Sequence, residues 1–315
     1  MVELVVSALM WTLVGVLVVF RRARKERSVL YAAVTIAVTM MLNDDDLYFV
    51  VDGWFGARDV VHLISAITLM FGVHYLAKGI SRAGAQPSLG GWPARAALTA
   101  AILVTTVAFV LVPHEGGTTA SFMRVYGDHP AAAVYSSTQY VYFIYVFTAL
   151  ARASAATLRS AVLRRERVAA VLLITGSLCV LLLSLNVLVM NVAQLAGGLS
   201  AAEPWRPTYY LFQVLTFAFL AGGLAVAPIG RWVTEVRRSR EIRSFVDRLA
   251  PLWSEAVSAR PAPGVEPARA DPELRLHRRI IEIRDAAMDG RNDFALDDDQ
   301  RELLRTAEER LLAGA

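Results

Sequence analysis

Seven long apolar stretches follow one another along the first 230 residues of the chain. They cover residues 5–20, 28–42, 60–77, 96–112, 132–150, 168–195 and 209–227. A segment needs about 20 predominantly apolar residues to cross the hydrocarbon core of a bilayer, and within lipid only a helix satisfies its own backbone polar groups. The pattern therefore predicts an all-α fold built on a bundle of seven transmembrane helices.

Positive charges alternate between the successive connections of these stretches. Eighteen Arg and Lys residues lie in the first, third and fifth connections and in the segment just after the last stretch, whereas the other connections contain only Arg58, Arg124 and Arg206. Cytoplasmic loops carry the excess of positive residues. The charge pattern predicts a multi-pass protein of the plasma (cell) membrane, with an extracellular N-terminus and a cytoplasmic C-terminus.

The basic composition fits this topology and adds no second function. The chain has 32 Arg and Lys residues against 28 Asp and Glu residues. The arginines are spread along the membrane flanks, without the base-stacking or groove-reading elements of a nucleic-acid interface, so we expect no nucleic-acid partner. Cys179, the single cysteine, can form no intrachain disulfide and no metal cluster. We expect no cofactor.

The residues after position 230 change from apolar to charged, and they divide into three segments. Residues 231–258 read as a juxtamembrane amphipathic helix, residues 259–270 as a proline-rich linker, and residues 271–315 as a cytoplasmic helical hairpin. The hairpin stripes are Leu276, Ile280, Ile283 and Ala287, and Leu303, Leu304, Ala307, Leu311 and Leu312. A hairpin this small needs a partner or the preceding helix for stability. The residues predicted to bind a cytoplasmic protein partner are Leu252, Trp253, Ile280, Ile283 and Leu304.

Two motifs in this tail carry a resemblance to a known family. Residues 249–253 read Leu-Ala-Pro-Leu-Trp, and residues 276–285 read Leu-His-Arg-Arg-Ile-Ile-Glu-Ile-Arg-Asp. Together they resemble the tail of an actinobacterial family of seven-helix integral membrane proteins, whose members are labelled transporters and end in a cytoplasmic domain of unknown function. The resemblance covers the whole chain and implies transport, but no substrate and no catalytic residue.

Polar residues recur at helical spacing within four of the apolar stretches, mainly towards the predicted external side. A polar group inside a span costs free energy unless it is paired or hydrated, so each is a candidate for function. The stripes predict a cavity for a small ligand or an ion, lined by His62, Ser65, Thr68, Gln139, Tyr142, Ser184, Asn191, Gln194 and Gln213. Hydrogen bonding between helices is the alternative explanation.

Three consecutive acids follow the second stretch. Because three adjacent acids on one continuing helix would place at least one carboxylate in lipid, we expect that helix to end near Leu42 and residues 47–51 to form an interfacial or re-entrant segment. Oxygen ligands from Asp44, Asp46 and Asp59 would suit a hard cation such as Ca²⁺. Helix capping and a solvated acidic rim remain the alternative.

The sequence leaves two classes of function. It contains no phosphate-binding loop, zinc-protease helix, nucleophile elbow or paired intramembrane aspartates, so we expect no enzyme. One hypothesis is a receptor-like sensor or signalling relay that couples an external polar cavity to the tail, with the lipid bilayer and a cytoplasmic protein as partners. The alternative is a transporter of a small solute or ion. The odd number of spans and the absence of a proline-broken span favour the relay.

Overall fold

The chain is described by a computed structural model over residues 2–19, 28–83, 91–114, 117–119, 121–258, 271–289 and 294–313, and within these ranges every regular element is helical. The predicted all-α class is therefore confirmed. The elements are α1 (Val2–Val19), α2 (Ser28–Leu42), α3 (Asp45–Trp54), α4 (Val60–Ala83), α5 (Trp92–Val110), α6 (Phe122–Tyr126), α7 (Pro130–Ser160), α8 (Arg164–Gly197), a 3₁₀ turn (Leu199–Trp205), α9 (Arg206–Ser258), α10 (Pro272–Met288) and α11 (Asp298–Leu312).

Five of these helices are long and apolar enough to cross a membrane. They are α4, α5, α7, α8 and the first part of α9. The helices α1 and α2 are apolar but shorter, with apolar segments of Val5–Val19 and Ser28–Leu42. At a rise of 1.5 Å per residue, α2 is only about 22 Å long, which is less than the roughly 30 Å of a hydrocarbon core. Helix length alone thus establishes five candidate spans and not seven.

Within its apolar stretch, α8 has an apolar outward face and buries most of its polar residues. On α8, Leu178, Leu185 and Val192 lie seven residues apart and expose about half or more of their surface, whereas Ser177, Ser184 and Asn191 beside them are buried. A helix of a soluble protein places its polar residues outside, so this inverted pattern is typical of a helix surrounded by lipid. The polar residues of α8 consequently face the other helices.

The chain divides into two compact units, residues 1–230 and 231–315. In the first unit, α7 packs along α8, and α2 packs between α1 and α4. Its core is formed by apolar side chains from α1, α2, α4, α5, α7, α8 and α9. Two glycines allow α8 and α9 to approach closely: a Cβ on Gly176 would lie 2.9 Å from Leu220, and a Cβ on Gly223 would lie 2.9 Å from Leu173. Small residues at such crossings are common between membrane helices.

The acidic segment after α2 begins a separate short helix. The second helix ends at Leu42, as expected, and Asp44 occupies the N-cap position of α3. Residues 47–51, predicted as an interfacial or re-entrant segment, lie within α3. After α3 the backbone turns sharply, with positive φ angles at Gly56, Ala57 and Asp59. This turn brings the chain to the start of α4.

The second unit is a three-helix cluster with its own core. The end of α9 contributes Ile242, Val246, Leu249, Leu252 and Ala256, α10 contributes Leu276, Ile280, Ile283 and Ala286, α11 contributes Leu304 and Ala307, and Phe294 completes the set. Polar contacts surround this core: the Trp253 indole donates to Glu282, and an Arg279 guanidinium donates to the Val246 carbonyl at 2.6 Å. The hairpin therefore packs against the helix that precedes it.

Two details of the predicted hairpin stripes are wrong. Ala286 is buried and its neighbour Ala287 is exposed, and Leu312 is 67% exposed although it was assigned to the apolar stripe. The helix starts agree better with the sequence. Asp271 accepts a hydrogen bond from the Glu273 amide, and Asp297 forms a capping box with Gln300. Capping residues are local signals, whereas the face that becomes buried depends on what packs against it.

Candidate functional site

A cavity of about 340 Å³ lies within the helix bundle of the first unit. Its polar lining residues come from the N-terminal ends of α4, α7 and α9, from the C-terminal ends of α2 and α8, and from Thr119 and residues 121–124. We call this part of the cavity its polar end. Among the described residues that line the cavity, only Ser121, Arg124 and Tyr210 are exposed, and all three lie at the polar end. The cavity therefore reaches the protein surface at the polar end.

The remainder of the cavity is lined by apolar side chains one to three turns further along the same helices. We call this part its apolar end, and it includes Leu76, Phe147, Val180, Leu220 and Leu224, all of which are buried. From His62 to Leu76 the lining of α4 covers 14 residues, which correspond to about 21 Å along the helix axis. The cavity is thus elongated along the bundle, and its character changes from polar to apolar over that length.

Six of the nine residues predicted for a ligand or ion cavity line this space. These residues are His62, Ser65, Gln139, Asn191, Gln194 and Gln213. They come from four helices, and the sequence alone could not show that the polar stripes of those helices face one another. The structure brings them together because each stripe is the least apolar face of its helix and packing turns it inward.

The other three predicted cavity residues do not line the space. Thr68 is half-buried on α4, and Ser184 is fully buried within α8. The hydroxyl of Tyr142 instead lies 3.2 Å from Nδ1 of His74. His74 is thus buried in a contact between α4 and α7. Helical spacing of polar residues predicts which side of a helix they share, but not whether each side chain reaches the cavity. These three side chains do not reach it.

Several polar groups at the cavity have no hydrogen-bond partner in the part of the chain that the structure describes. They are Oγ of Ser65, Oε1 of Gln213 and Oγ1 of Thr216, and all three side chains are at least nine-tenths buried. Leaving such a group unpaired costs about 1–3 kcal/mol. An explanation is required when buried polar atoms without partners cluster around one space. A bound molecule with polar atoms would satisfy them.

Two of the predicted cavity residues also connect helices. The Asn191 amide donates to Oγ of Ser136 and Ser137, at 3.1 and 3.0 Å, and thereby joins α8 to α7. The Gln194 amide donates to the carbonyl of Met123 at 3.3 Å, which holds α6 against α8. The alternative explanation, hydrogen bonding between helices, therefore applies to these two residues even though both also line the cavity.

His62 is enclosed by aromatic rings at the polar end. Its ring stacks on Phe122 with centroids 4.8 Å apart, and the Tyr135 ring lies at 5.5 Å. The Tyr135 hydroxyl donates to the His62 backbone carbonyl at 3.1 Å. Both α6, through Phe122, and α7, through Tyr135, thus fix the position of the imidazole beside the cavity.

Two arginines at the polar end were not among the predicted site residues. Arg124 and Arg206 line the cavity, and both lie beside Glu203, at 3.7 and 3.2 Å. Two guanidinium groups therefore share one carboxylate, which leaves one positive charge in excess. Among the described residues that line the cavity there is no Asp or Glu. In the sequence these arginines lie between apolar stretches, where they indicate only the membrane topology.

The acids next to α3 form an internal hydrogen-bond network instead of a cation site. The Asp52 carboxylate accepts from the amides of Asp59 and Val61, at 2.9 and 3.1 Å, and from the Thr118 hydroxyl. The Asp59 carboxylate accepts from the Tyr48 hydroxyl at 2.7 Å and from the amide and hydroxyl of Thr119. Burial first, and then the hydrogen bond to Asp59, raise the pKa of Tyr48 above its ordinary value, so that Tyr48 remains a donor.

The predicted cation site at Asp44, Asp46 and Asp59 is not assembled. Over the described ranges, no three acidic, His or Cys side chains form a group that could hold a metal ion. Asp44 occupies the N-cap position of α3, Asp46 is exposed, and Asp59 is buried with its oxygens already engaged by Tyr48 and Thr119. Asp44 thus stands where the capping alternative placed it, but its side chain forms no capping hydrogen bond.

The tail residues predicted to bind a partner lie in the interior of the second unit. Leu252, Ile280, Ile283 and Leu304 are all more than nine-tenths buried in its core, and Trp253 is partly buried against it. The stripes identified the apolar face of each helix correctly, but that face packs against the neighbouring helices of the same unit. The four buried side chains are therefore not available to a partner while the unit is folded.

Comparison with known proteins finds one similarity, and it concerns the tail. Residues 231–314 match a family of unknown function (DUF6545). No curated protein matches the chain, and no solved structure matches it. The matched residues coincide with the second unit of the structure, residues 231–315.

Proposed function

We propose that the chain is an integral membrane protein with seven spans, an extracellular N-terminus and a cytoplasmic C-terminus. Five helices of sufficient length and the apolar outward face of α8 support membrane insertion. The distribution of Arg and Lys, eighteen against three between alternate connections, supports the orientation. In this arrangement α1 and α2 are short spans. The polar end of the cavity then opens to the extracellular side.

We further propose that the protein is a receptor-like sensor that binds a ligand in this cavity and relays the binding to its cytoplasmic tail. The observation that carries the proposal is that α9 supplies residues to both functional parts. Gln213 and Thr216 of α9 line the cavity, and Ile242 and Leu249 of the same helix belong to the core of the tail. A ligand that binds differently to two positions of α9 would shift the population of tail conformations.

Transport of a small solute or ion is the alternative function. The elongated cavity, whose lining on α4 covers about 21 Å, supports this alternative because a transport pathway must cross most of the bilayer. Against it, the apolar end is lined by Leu76, Phe147 and Leu224, which offer no polar group to a hydrophilic solute. The relay is therefore the function that we favour.

The two functions can be separated with a covalent occupant of the cavity. Gln213→Cys would be introduced in a Cys179→Ala background, and sealed vesicles containing the full-length protein would be treated with the membrane-impermeant reagent methanethiosulfonate ethylsulfonate. Ser200→Cys is the control, because Ser200 is exposed in the 3₁₀ turn that precedes α9 and does not line the cavity. Hydrogen exchange of residues 231–313 would be measured before and after labelling.

The relay predicts that Gln213→Cys reacts from the side of the N-terminus and that labelling changes exchange in the tail, whereas labelled Ser200→Cys leaves the tail unchanged. Labelling of Gln213→Cys without a response in the tail would contradict the relay and favour transport. Reaction only from the side of the C-terminus would contradict the proposed orientation.

A further inference from the structure

We propose that the cavity binds a single-chain amphiphile with an anionic head group, such as a long-chain carboxylate or an alkyl phosphate. This inference rests on the proposed function, since it assigns a ligand class to the same cavity. Four properties of the cavity lead to it: the separation of its polar and apolar linings, the sign of its charge, its volume, and the position of its unpaired polar groups.

The separation of the two linings matches the two parts of an amphiphile. At the polar end the lining carries amides, hydroxyls and guanidinium groups, and at the apolar end it carries only hydrocarbon and aromatic side chains such as Phe147, Val180 and Leu224. A small hydrophilic ligand would leave the apolar end empty. A purely apolar ligand would leave the polar groups of Ser65 and Gln213 unpaired, which is unfavourable in a buried site. A molecule with one polar and one apolar end satisfies both parts.

The charge of the polar end selects an anion. Arg124 and Arg206 share the single carboxylate of Glu203, so one positive charge remains uncompensated by that group. Arg206 has only 17% of its side chain exposed, which reduces its screening by water. A planar guanidinium binds carboxylate and phosphate oxygens with charge-assisted hydrogen bonds, and Arg is therefore common where such anions are recognised. A cationic head group would be repelled at this position.

The volume limits the ligand to one chain. Ligand cavities for small molecules typically hold about 300–1,000 Å³, and a cavity of about 340 Å³ is at the small end of that range. Its length of about 21 Å along α4 requires that it be narrow. A narrow, elongated cavity fits one extended hydrocarbon chain and excludes a lipid with two acyl chains.

The unpaired polar groups lie between the two ends, where a head group would meet them. Ser65 is one turn of α4 beyond His62, and Gln213 and Thr216 are two to three turns of α9 beyond Arg206. The hydroxyls of Ser65 and Thr216 can donate to a carboxylate or phosphate oxygen, whereas the unpaired atom of Gln213 is Oε1, an acceptor that an anion does not satisfy. The arginines would thus attract an anionic head group, and donor hydroxyls lie deeper in the cavity.

The experiment is photo-cross-linking of the full-length protein in phosphatidylcholine nanodiscs with a hexadecanoate that carries a mid-chain diazirine. Cross-linked residues would be located by mass spectrometry, and unlabelled hexadecanoate, hexadecyl phosphate, hexadecanol and acetate would be added as competitors. We expect cross-links to residues of the apolar end such as Phe147 and Leu220. Hexadecanoate or hexadecyl phosphate should compete, and the stronger of the two identifies the head group, whereas hexadecanol and acetate should compete at least tenfold more weakly.

Charge variants test the role of the arginines. The double variant Arg124→Gln and Arg206→Gln should reduce cross-linking at least tenfold, because a hydrogen bond to a charged group contributes enough for such a factor. Glu203→Gln removes the competing carboxylate and should maintain or increase cross-linking. The matched control is Arg159→Gln with Arg164→Gln, since both of these arginines are exposed and neither lines the cavity.

The inference would be overturned by cross-links confined to outward-facing residues such as Leu103 and Val107, or by equal competition from hexadecanol. Retention of cross-linking in the double arginine variant, in protein whose melting temperature is unchanged, would also overturn it. None of these results bears on the thiol labelling of Gln213→Cys, which tests the proposed function independently. The proposed ligand class and the proposed function can therefore be refuted independently.

Discussion

Asp59 offers the sharpest test of how the first unit is held together next to α3. Its carboxylate lies in a buried network in which Tyr48 donates from α3 and Thr119 donates through both its amide and its hydroxyl. Thr119 is 60 residues further along the chain, so the network joins two connections that neighbour each other only in the fold. The substitution Asp59→Asn removes the negative charge and retains the shape.

The expected loss can be estimated from the hydrogen bonds. Both the Tyr48 hydroxyl and the Thr119 amide donate to the same carboxylate oxygen, Oδ1, and Asn retains an oxygen in that position. A hydrogen bond to a charged group contributes about 1 kcal/mol more than one to a neutral group, so two such bonds give a loss of about 2 kcal/mol. The backbone adds little, because Asn tolerates the positive φ of 57° at this residue.

Asp59→Ala should be considerably more destabilising. It removes all three hydrogen bonds and leaves the Tyr48 hydroxyl buried without its acceptor, at a cost of about 1–3 kcal/mol for each unpaired group. Alanine at a positive φ adds about 1 kcal/mol. Asp46→Asn is the control, since Asp46 is an exposed acid on α3, the helix that carries Tyr48, and it should change stability by no more than about 0.5 kcal/mol.

The assay is thermal unfolding of the purified full-length protein in detergent, followed by tryptophan fluorescence. For a unit of this size about 1 kcal/mol corresponds to roughly 2–4 °C, so Asp59→Asn should lower the melting temperature by about 4–8 °C. In a double-mutant cycle, Tyr48→Phe and Asp59→Asn should be non-additive by at least about 0.5 kcal/mol.

Two results would contradict this reasoning. Equal melting temperatures for Asp59→Asn and Asp46→Asn would show that the buried network does not stabilise the protein. Stabilisation of the unaltered protein by millimolar Ca²⁺, lost in Asp59→Asn, would show that Asp59 is a cation ligand and that its hydrogen bonds are secondary.

Three further predictions use adjacent residues as controls for one another. Gly223→Ala should lower the melting temperature, because its Cβ would lie 2.9 Å from Leu173, whereas Gly222→Ala, with 3.7 Å to its nearest neighbour, should be neutral or stabilise α9 by up to about 1 kcal/mol. Ile280→Asp should raise hydrogen exchange throughout residues 231–313 of the full-length protein, whereas Ile281→Asp should not, since Ile280 is 4% exposed and Ile281 is 44% exposed. Asp297→Ala should remove the capping box of α11 and destabilise that helix by about 1 kcal/mol, measured by exchange in its first turn, with the exposed Asp298→Ala as the control.

The helices could be predicted from the sequence because their signals are local. The apolar length, the end of α2 at Leu42 and the caps at Asp271 and Asp297 each depend on a few neighbouring residues. Residues 231–258 were also predicted to be helical, and in the structure they continue α9 as far as Ser258. Local periodicity therefore carries most of the secondary structure of this chain.

What covers each helix face could not be predicted, because it depends on residues that are distant in sequence. Ile280 and Leu304 have the pattern of a binding face, and only the arrangement of α9, α10 and α11 shows that they form a core. The same limit applies to Asp59, whose partner Thr119 lies in another connection. A variant such as Ile280→Asp would therefore test folding of the tail and not partner binding.

The arginines at the polar end show a different limit of prediction from sequence, because an arginine can indicate membrane topology and also belong to a binding site. Arg124 and Arg206 were counted as exceptions to the charge pattern between connections, and a count does not reveal position. Their shared contact with Glu203 and their place in the cavity lining give them a second role. Charges that oppose a topology pattern are therefore candidates for function, since the pattern gives no reason for their presence.

The distribution of polar groups within the cavity also bears on the choice between relay and transport. The free-energy cost of placing a polar group in a bilayer falls from the middle towards the surface. A site that has all its polar groups near one surface therefore destabilises the protein little. A pathway for a hydrophilic solute would need polar groups at the level of Leu76, Phe147 and Leu224, where the described lining residues are apolar. A ligand would therefore enter and leave by the polar end. Under the proposed orientation that end is extracellular, and the consequence of binding must then reach the cytoplasm through a helix, for which α9 is the candidate.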